Sequence, residues 1–187
     1  MIQTPSGVCS ELVSRFKRLH KKQKQPQWAW PYAPSIPFVG TRYRPDDGLL
    51  VYASAENLTW LAKKGGAVPE RFTGDSAWDR YRVRYKETHG TGNAFFPDVG
   101  IQPVTDGGLF AAALFVAERL GLPTKDEPRA FLETVAFTNW AKFTFKQDGN
   151  GSAVNADYAD VQGKLGASLA FVVTELAVLR PKAVLLP

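Results

Sequence analysis

The chain has 187 residues, of which 44% are hydrophobic and 22% are charged. These values are ordinary for a globular protein and argue against a disordered one. No apolar run approaches the roughly 18 to 20 residues that span a bilayer, and no hydrophobic signal segment opens the chain. We therefore expect a cytoplasmic protein without a membrane partner. A net charge of +5 and a pI near 9.3 favour polyanionic partners.

Cysteine and histidine are scarce, since the sequence contains only Cys9, His20 and His89. One cysteine cannot form an intramolecular disulfide, an iron–sulfur cluster or a thiolate zinc site. We therefore expect chemistry that needs neither a metal nor a cofactor, in a reducing compartment.

Apolar residues near the N-terminus recur at near-helical spacing and predict an amphipathic helix over residues 5–23. Its other face is basic and includes Arg15, Arg18, Lys21 and Lys22. Three aromatic residues, Trp28, Trp30 and Tyr32, follow in a proline-rich segment. Basic residues interleaved with aromatic ones can bind phosphates and stack on bases. The alternative is a solvated helix face with aromatics that anchor an irregular segment to the core.

Two predicted elements occupy the middle of the chain. Residues 49–53 form a continuous apolar run that is typical of a central parallel strand. Residues 76–86 predict a helix, although tyrosines and arginines also alternate there as in a strand. Either structure presents Arg80 and Arg84 on a basic surface.

The second half of the chain predicts alternating helices and strands. These are a helix at 107–120, a strand within 131–142, a helix at 155–179 and a strand at 182–186. The order indicates one α/β domain over residues 1–187, a three-layer sandwich whose mainly parallel central sheet is flanked by helices. The N-terminal helix is expected to pack on this domain. The chain ends on the last strand, as in a domain cut short at its C-terminus.

Polar residues follow two of the predicted strands. Glu56 and Asn57 come after the first, and Asn139 comes at the end of the second. Carboxyl ends of parallel strands meet at one edge of a sheet, where ligands bind. A carboxylate can orient or deprotonate water, and an amide can read the edge of a heterocycle. Phe95 or Phe96 could stack on such a ring. For Glu56 and Asn139 the alternative is a role in helix capping or turn formation. For the two phenylalanines it is core packing.

Residues 136–142 read Ala-Phe-Thr-Asn-Trp-Ala-Lys. They are followed by a polar loop, a long helix and then Leu-Arg-Pro-Lys-Ala-Val-Leu-Leu at 179–186. This succession resembles the uracil-DNA glycosylase superfamily. In that family a strand ends in Thr-Asn or a similar pair, often with a lysine shortly after. A later Leu-x-Pro-x-x-Val pattern leads into the next strand. The resemblance covers roughly residues 49–186, more as a pattern of elements than of identities.

This resemblance implies a glycosylase that hydrolyses the N-glycosidic bond of uracil or a related damaged base. Asn139 would read the flipped base, Phe96 or Phe95 would stack on it, and Glu56 or Asn57 would position the water. The segment 54–57 lacks the glycine and proline usual in the first motif of the family. The family's histidine motif would fall beyond Pro187.

The resemblance also implies a DNA partner, either single-stranded or double-stranded. The expected phosphate contacts are Arg15, Arg18, Lys21, Lys22, Arg80, Arg84 and Lys142. Lys142 is expected to be a phosphate or structural contact, not a catalyst. A non-catalytic nucleic-acid-binding protein of the same fold is one alternative function. A small-molecule-binding α/β enzyme that uses the same strand-end crevice is another.

Overall fold

A computed structural model of the chain describes residues 5–23, 25–29, 34–55, 108–124, 128–143, 145–146, 153–154 and 164–186. The helices are α1 (Pro5–Lys22), α2 (Gly108–Arg119), α3 (Pro128–Thr134) and α4 (Leu169–Leu179), with a 3-10 helix at Leu165–Ala167. The strands are β1 (Phe38–Val39), β2 (Leu49–Ala55), β3 (Val135–Ala141), β4 (Phe145–Lys146), β5 (Ala153–Val154) and β6 (Ala183–Leu185). The protein is of the general α/β class.

Four of these strands form one mixed sheet in the order β1-β3-β2-β6. Strand β2 lies between β3 and β6 and runs parallel to both. The short β1 pairs antiparallel with β3, so the sheet is mixed. The predicted central strand at 49–53 is confirmed as β2, and the strand predicted at 182–186 is confirmed as the shorter β6.

Alternate residues of the sheet enter two separate apolar clusters, because successive side chains of a strand point to opposite faces. Leu50, Tyr52 and Ala136 pack with residues of α1 and α4. Leu49, Val51, Val135 and Phe137 pack with residues of α2 and α3. The two faces of β2 and β3 therefore have different helical partners.

The predicted helices at 5–23 and 107–120 are confirmed as α1 and α2. Helix α1 buries Val8, Leu12 and Phe16 along one face. Helix α2 ends where the Leu122 amide donates to the Ala117 carbonyl and Gly121 adopts a positive φ of 72°. Glycine favours this left-handed conformation because it has no Cβ. The element predicted at 76–86 lies outside the described residues.

The segment 131–142 is only partly a strand. Its first residues belong to α3, and β3 begins at Val135 without an intervening loop. The Thr134 hydroxyl donates to the Phe131 carbonyl, a bond that a helical turn permits. Phe131 and Leu132 are buried in the cluster that includes α2. Tertiary packing thus overrides the β propensity of this segment.

The helix predicted over 155–179 is also different in the structure. Residues 155–163 lie outside the described part, a 3-10 helix precedes α4, and Ser168 separates the two. Helix α4 buries Phe171, Val172, Glu175, Val178 and Leu179. Leu169 and Leu176 of the same helix are 60% and 38% exposed. The Glu175 carboxylate of α4 therefore faces the sheet. No helix in the described ranges has the length and apolarity to cross a bilayer.

Candidate functional site

The carboxyl ends of β2 and β3 lie side by side at one edge of the sheet. Ala53 is paired with Asn139, and Ala55 is paired with Ala141. The chain therefore leaves both strands at the same edge, as the sequence predicted. Glu56 and Asn57 directly follow Ala55 in sequence but lie outside the described residues.

Asn139 lies within β3, not after it, and is partly buried. By strand alternation it shares the sheet face of Val135 and Phe137, which pack with α2 and α3. Thr138 and Trp140 lie on the other face. Within the described ranges, Asn139 is the predicted base contact at the strand-end edge. The other residues predicted to contact the base or the water lie outside the described ranges. They are Phe95, Phe96, Glu56 and Asn57.

On the opposite sheet face, a polar network is buried between the sheet and α4. We call its members, Tyr52, Thr138, Lys142 and Glu175, the Lys142–Glu175 network. The Lys142 ammonium forms an ion pair with the Glu175 carboxylate, and neither side chain exposes any surface. The ammonium also donates to the Thr138 hydroxyl over 2.6 Å. Strand β3, the residue after it and α4 are therefore joined by charge-assisted hydrogen bonds.

Both oxygens of the Glu175 carboxylate accept hydrogen bonds. Oε1 accepts from the Thr138 hydroxyl over 3.0 Å and from Lys142, while Oε2 accepts from the Tyr52 hydroxyl over 3.0 Å. The Lys142 Nζ lies 5.5 Å from the centroid of the Tyr52 ring, within the range of a cation–π contact. One carboxylate of α4 thus bonds side chains from both β2 and β3.

Burial dominates the electrostatics of this network. Desolvation raises the pKa of Glu175, although the Lys142 charge and the three hydrogen bonds oppose the rise. Desolvation, and then the Glu175 charge, raise the pKa of Tyr52 far above its ordinary value. These directions follow because water no longer solvates the charged forms.

Lys142 has a structural role in this arrangement, the second of the two roles expected for it. Because its side chain has no exposed surface, its ammonium is not available to a phosphate. Its partner Glu175 is not among the site residues predicted from the sequence. It is the single charged residue of Leu-Ala-Phe-Val-Val-Thr-Glu-Leu-Ala-Val-Leu, the sequence of α4. A lone charge in an apolar helix is the signal that could have identified a buried pair, since buried charges are normally paired.

The outer face of α1 carries the other predicted phosphate contacts that the structure describes. Arg15, Arg18, Lys21 and Lys22 are exposed there, and we call them the basic row. Arg15 forms a 2.6 Å ion pair with Glu11 one turn earlier. The other predicted cations, Arg80 and Arg84, lie outside the described residues. Within the described ranges no three His, Cys, Asp or Glu side chains are grouped as a metal site.

Comparison of the chain with models of protein families, with curated proteins and with solved structures gave no match.

Proposed function

We propose that this chain is a divergent relative of the uracil-DNA glycosylase superfamily that binds DNA and hydrolyses the N-glycosidic bond of uracil or a related damaged base. The observation that carries the proposal is the parallel register of β2 and β3. It places Ala55, which Glu56 and Asn57 follow, beside the end of the strand that holds Asn139. A water-orienting group and a base-reading amide would then share one edge of the sheet.

In this proposal each residue has one task. The Asn139 amide binds the edge of the flipped base, and Phe96 or Phe95 stacks on the ring. Glu56 or Asn57 orients a water whose oxygen bonds to the sugar C1′. The bond between C1′ and the base nitrogen breaks with its electron pair going to the base. The proton lost by the water passes to the base or to solvent.

The complete fold that we propose is a three-layer sandwich with a mainly parallel central sheet. Two apolar clusters support this arrangement, because they join alternate residues of β2 and β3 to different pairs of helices. The parallel pairings of β2 with both β3 and β6 support the strand directions. In such a sheet the carboxyl edge is the usual ligand site.

An abasic-site assay tests the catalytic proposal. Uracil-containing single-stranded and double-stranded oligonucleotides are incubated with the wild type, with Asn139→Ala and with Asn139→Asp. We expect abasic sites with the wild type and a loss of about 100-fold or more with Asn139→Ala, the scale set by removing one positioned polar group from an active site. Glu133→Ala, an exposed residue before β3, is the control and should retain full activity. The proposal would be refuted if the wild type released no base, or if the wild type and Asn139→Ala released it equally.

Nucleic-acid binding without catalysis is the second candidate function. The exposed basic row of α1, together with a net charge of +5, favours it. This function requires binding that weakens steeply with salt, because cations that neutralise phosphates release counterions. Salt-dependent binding without abasic sites in the assay above would select this candidate.

A further inference from the structure

Two tryptophans pack near the end of β3 against the apolar cluster that contains Leu50 and Tyr52, on the sheet face opposite to Asn139. Trp140 belongs to β3, Trp28 belongs to the segment after α1, and both pack against Ala141. Each indole is only partly buried. Large aromatic side chains that keep part of their surface in solvent are common at binding surfaces.

Buried aromatic neighbours hold both indoles. Trp140 meets the Tyr52 ring at a centroid distance of 5.0 Å and an angle of 78°. Trp28 meets the Phe143 ring at 6.2 Å and 89°. These edge-to-face contacts fix the orientation of each indole. A ligand that stacks there meets rings that are already ordered, so little conformational entropy is lost on binding.

Basic side chains lie near Trp28. The Lys164 ammonium lies 5.7 Å from the centroid of the Trp28 ring. The last turn of α1 contains His20, Lys21 and Lys22. The His20 ring lies 6.3 Å from the Phe143 ring, which in turn contacts Trp28. The basic end of α1 is therefore close to Trp28.

We infer that Trp28, Trp140 and Lys164, which we call the Trp28–Trp140 site, bind single-stranded nucleic acid beside the basic end of α1. The indoles stack on bases, while Lys164, Lys21 and Lys22 contact phosphates. Single-stranded nucleic acid is favoured because its bases can leave their neighbours and expose a π face, whereas the bases of a duplex are already stacked. The inference rests on the nucleic-acid-binding part of the proposed function and does not require base release.

Fluorescence anisotropy with a labelled oligothymidine of about 20 nucleotides, longer than one typical site, tests the inference. The variants are Trp28→Leu and Trp140→Leu, which remove the stacking surface but keep apolar packing, and Lys164→Ala. Lys182→Ala is the matched control, because Lys182 is an exposed cation at the amino end of β6, on the opposite edge of the sheet. Circular dichroism and thermal melting establish that each variant is folded.

We expect each tryptophan variant to bind oligothymidine about fivefold or more weakly, the loss that follows from one missing base stack. Lys164→Ala should lower the slope of log affinity against log salt by about 0.7, the value for one phosphate contact in a single strand. Lys182→Ala should bind as the wild type does, and a duplex of the same length should bind less tightly than the single strand.

Photo-crosslinking of the wild type gives a second test that does not depend on the folding of variants. Bromodeoxyuridine oligonucleotides are irradiated with the protein, and mass spectrometry locates the adducts. Adducts at Trp28 or Trp140 support the inference. Adducts found only at other residues, or unchanged affinity in both tryptophan variants, overturn it.

Oligonucleotide binding and crosslinking at these residues without base release would overturn the glycosylase proposal and leave this site supported. A wild type that binds no oligonucleotide at low salt overturns both.

Discussion

The Glu175 carboxylate and the Lys142 ammonium form an ion pair in the interior, although the two residues are 33 positions apart in the chain. Neither side chain is exposed, and Tyr52 and Thr138 complete the hydrogen bonds of the carboxylate. The pair links α4 to the carboxyl end of β3. Its removal should therefore affect the stability of the structure that supports the strand-end edge.

Replacement of Glu175 by leucine should lower the free energy of unfolding by about 3 to 5 kcal/mol, because it leaves the buried Lys142 ammonium without its counter-charge. The double variant Lys142→Met/Glu175→Leu should recover most of this loss, since well-packed apolar residues can replace a buried pair. Urea denaturation followed by circular dichroism gives both values.

Glu133→Ala is the control for this prediction. It breaks an ion pair with Arg42 in which the two side chains are 47% and 59% exposed. Exposed pairs contribute little, so the control should change the stability by less than about 1 kcal/mol. A double variant that is as unstable as Glu175→Leu would show that the lost charge is not the cause.

Alkaline pH should destabilise the protein through Tyr43 and Tyr52. Burial raises the pKa of both hydroxyls above the ordinary value of 10.0. The folded state therefore keeps its protons while the unfolded state loses them. The stabilisation is fully present below pH 10 and is lost as pH rises above it, by up to about 1.4 kcal/mol per pH unit for each tyrosine. Urea denaturation from about pH 8 to pH 11 measures this dependence.

Tyr43→Phe isolates one of the two contributions, because its hydroxyl donates to the Leu179 carbonyl outside the Lys142–Glu175 network. The dependence of its stability on pH above 10 should be shallower than in the wild type by the equivalent of one proton. An unchanged slope would mean that Tyr43 ionises as readily in the folded state as in the unfolded one.

A methyl group at Gly40 should be strongly destabilising. A Cβ built there would overlap the backbone of Glu133 and the carbonyl oxygen of Leu132. The Gly40 amide donates to the Val135 carbonyl over 2.9 Å, so the chain cannot move away without loss of this hydrogen bond. Gly40→Ala should cost about 1 to 3 kcal/mol, the usual range for overpacking. Thermal melting followed by circular dichroism checks this.

Gly108→Ala supplies the comparison for Gly40→Ala. Gly108 begins α2, and a Cβ added to it would meet no other atom within 4 Å. This variant should be neutral or slightly more stable, since alanine restricts the unfolded chain. If the two alanine variants melt at the same temperature, the close approach of Gly40 to α3 has no energetic consequence.

The basic row of α1 should determine the salt dependence of nucleic-acid binding. The triple variant Arg18→Ala/Lys21→Ala/Lys22→Ala should bind an oligonucleotide more weakly. Its slope of log affinity against log salt should be lower by about 2, given about 0.7 for each phosphate contact in a single strand. Anisotropy titrations across a range of salt concentrations give the slope.

The control for the basic row removes the same charge at a different place. Arg42, Arg44 and Lys182 are exposed and lie near the amino ends of β3, β2 and β6, respectively. Replacing all three with alanine should leave the slope unchanged, although the net charge falls equally, from +5 to +2. Equal slopes in the two triple variants would assign the binding to overall charge and not to α1.

The elements that the sequence predicts well are those whose own residues decide their structure. Helix α1 has Val8, Leu12 and Phe16 on one face, and all three are buried. The end of α2 is marked by Gly121, which has the positive φ that glycine tolerates. Strand β2 is a continuous apolar run that is covered on both faces. Local pattern and tertiary packing agree in these places.

The remaining features depend on contacts between distant residues, which a local pattern does not contain. Phe131 and Leu132 are helical because that conformation buries them in the cluster that includes α2. The orientation of α4 depends on Lys142, with which Glu175 pairs. The sequence predicts Asn139 at the carboxyl edge of the sheet, but its place within the strand follows from its pairing with Ala53.

The alternation of β3 also has an evolutionary consequence. Thr138 and Lys142 hold the carboxylate of α4 on one face of the sheet, while Asn139 lies on the other. A substitution at position 139 therefore removes none of the side chains that bind the Glu175 carboxylate. Selection could change the chemistry at this position while the scaffold beneath it stays constant. A one-residue insertion in β3 would remove this independence, because it would exchange the two sets of side chains between the faces.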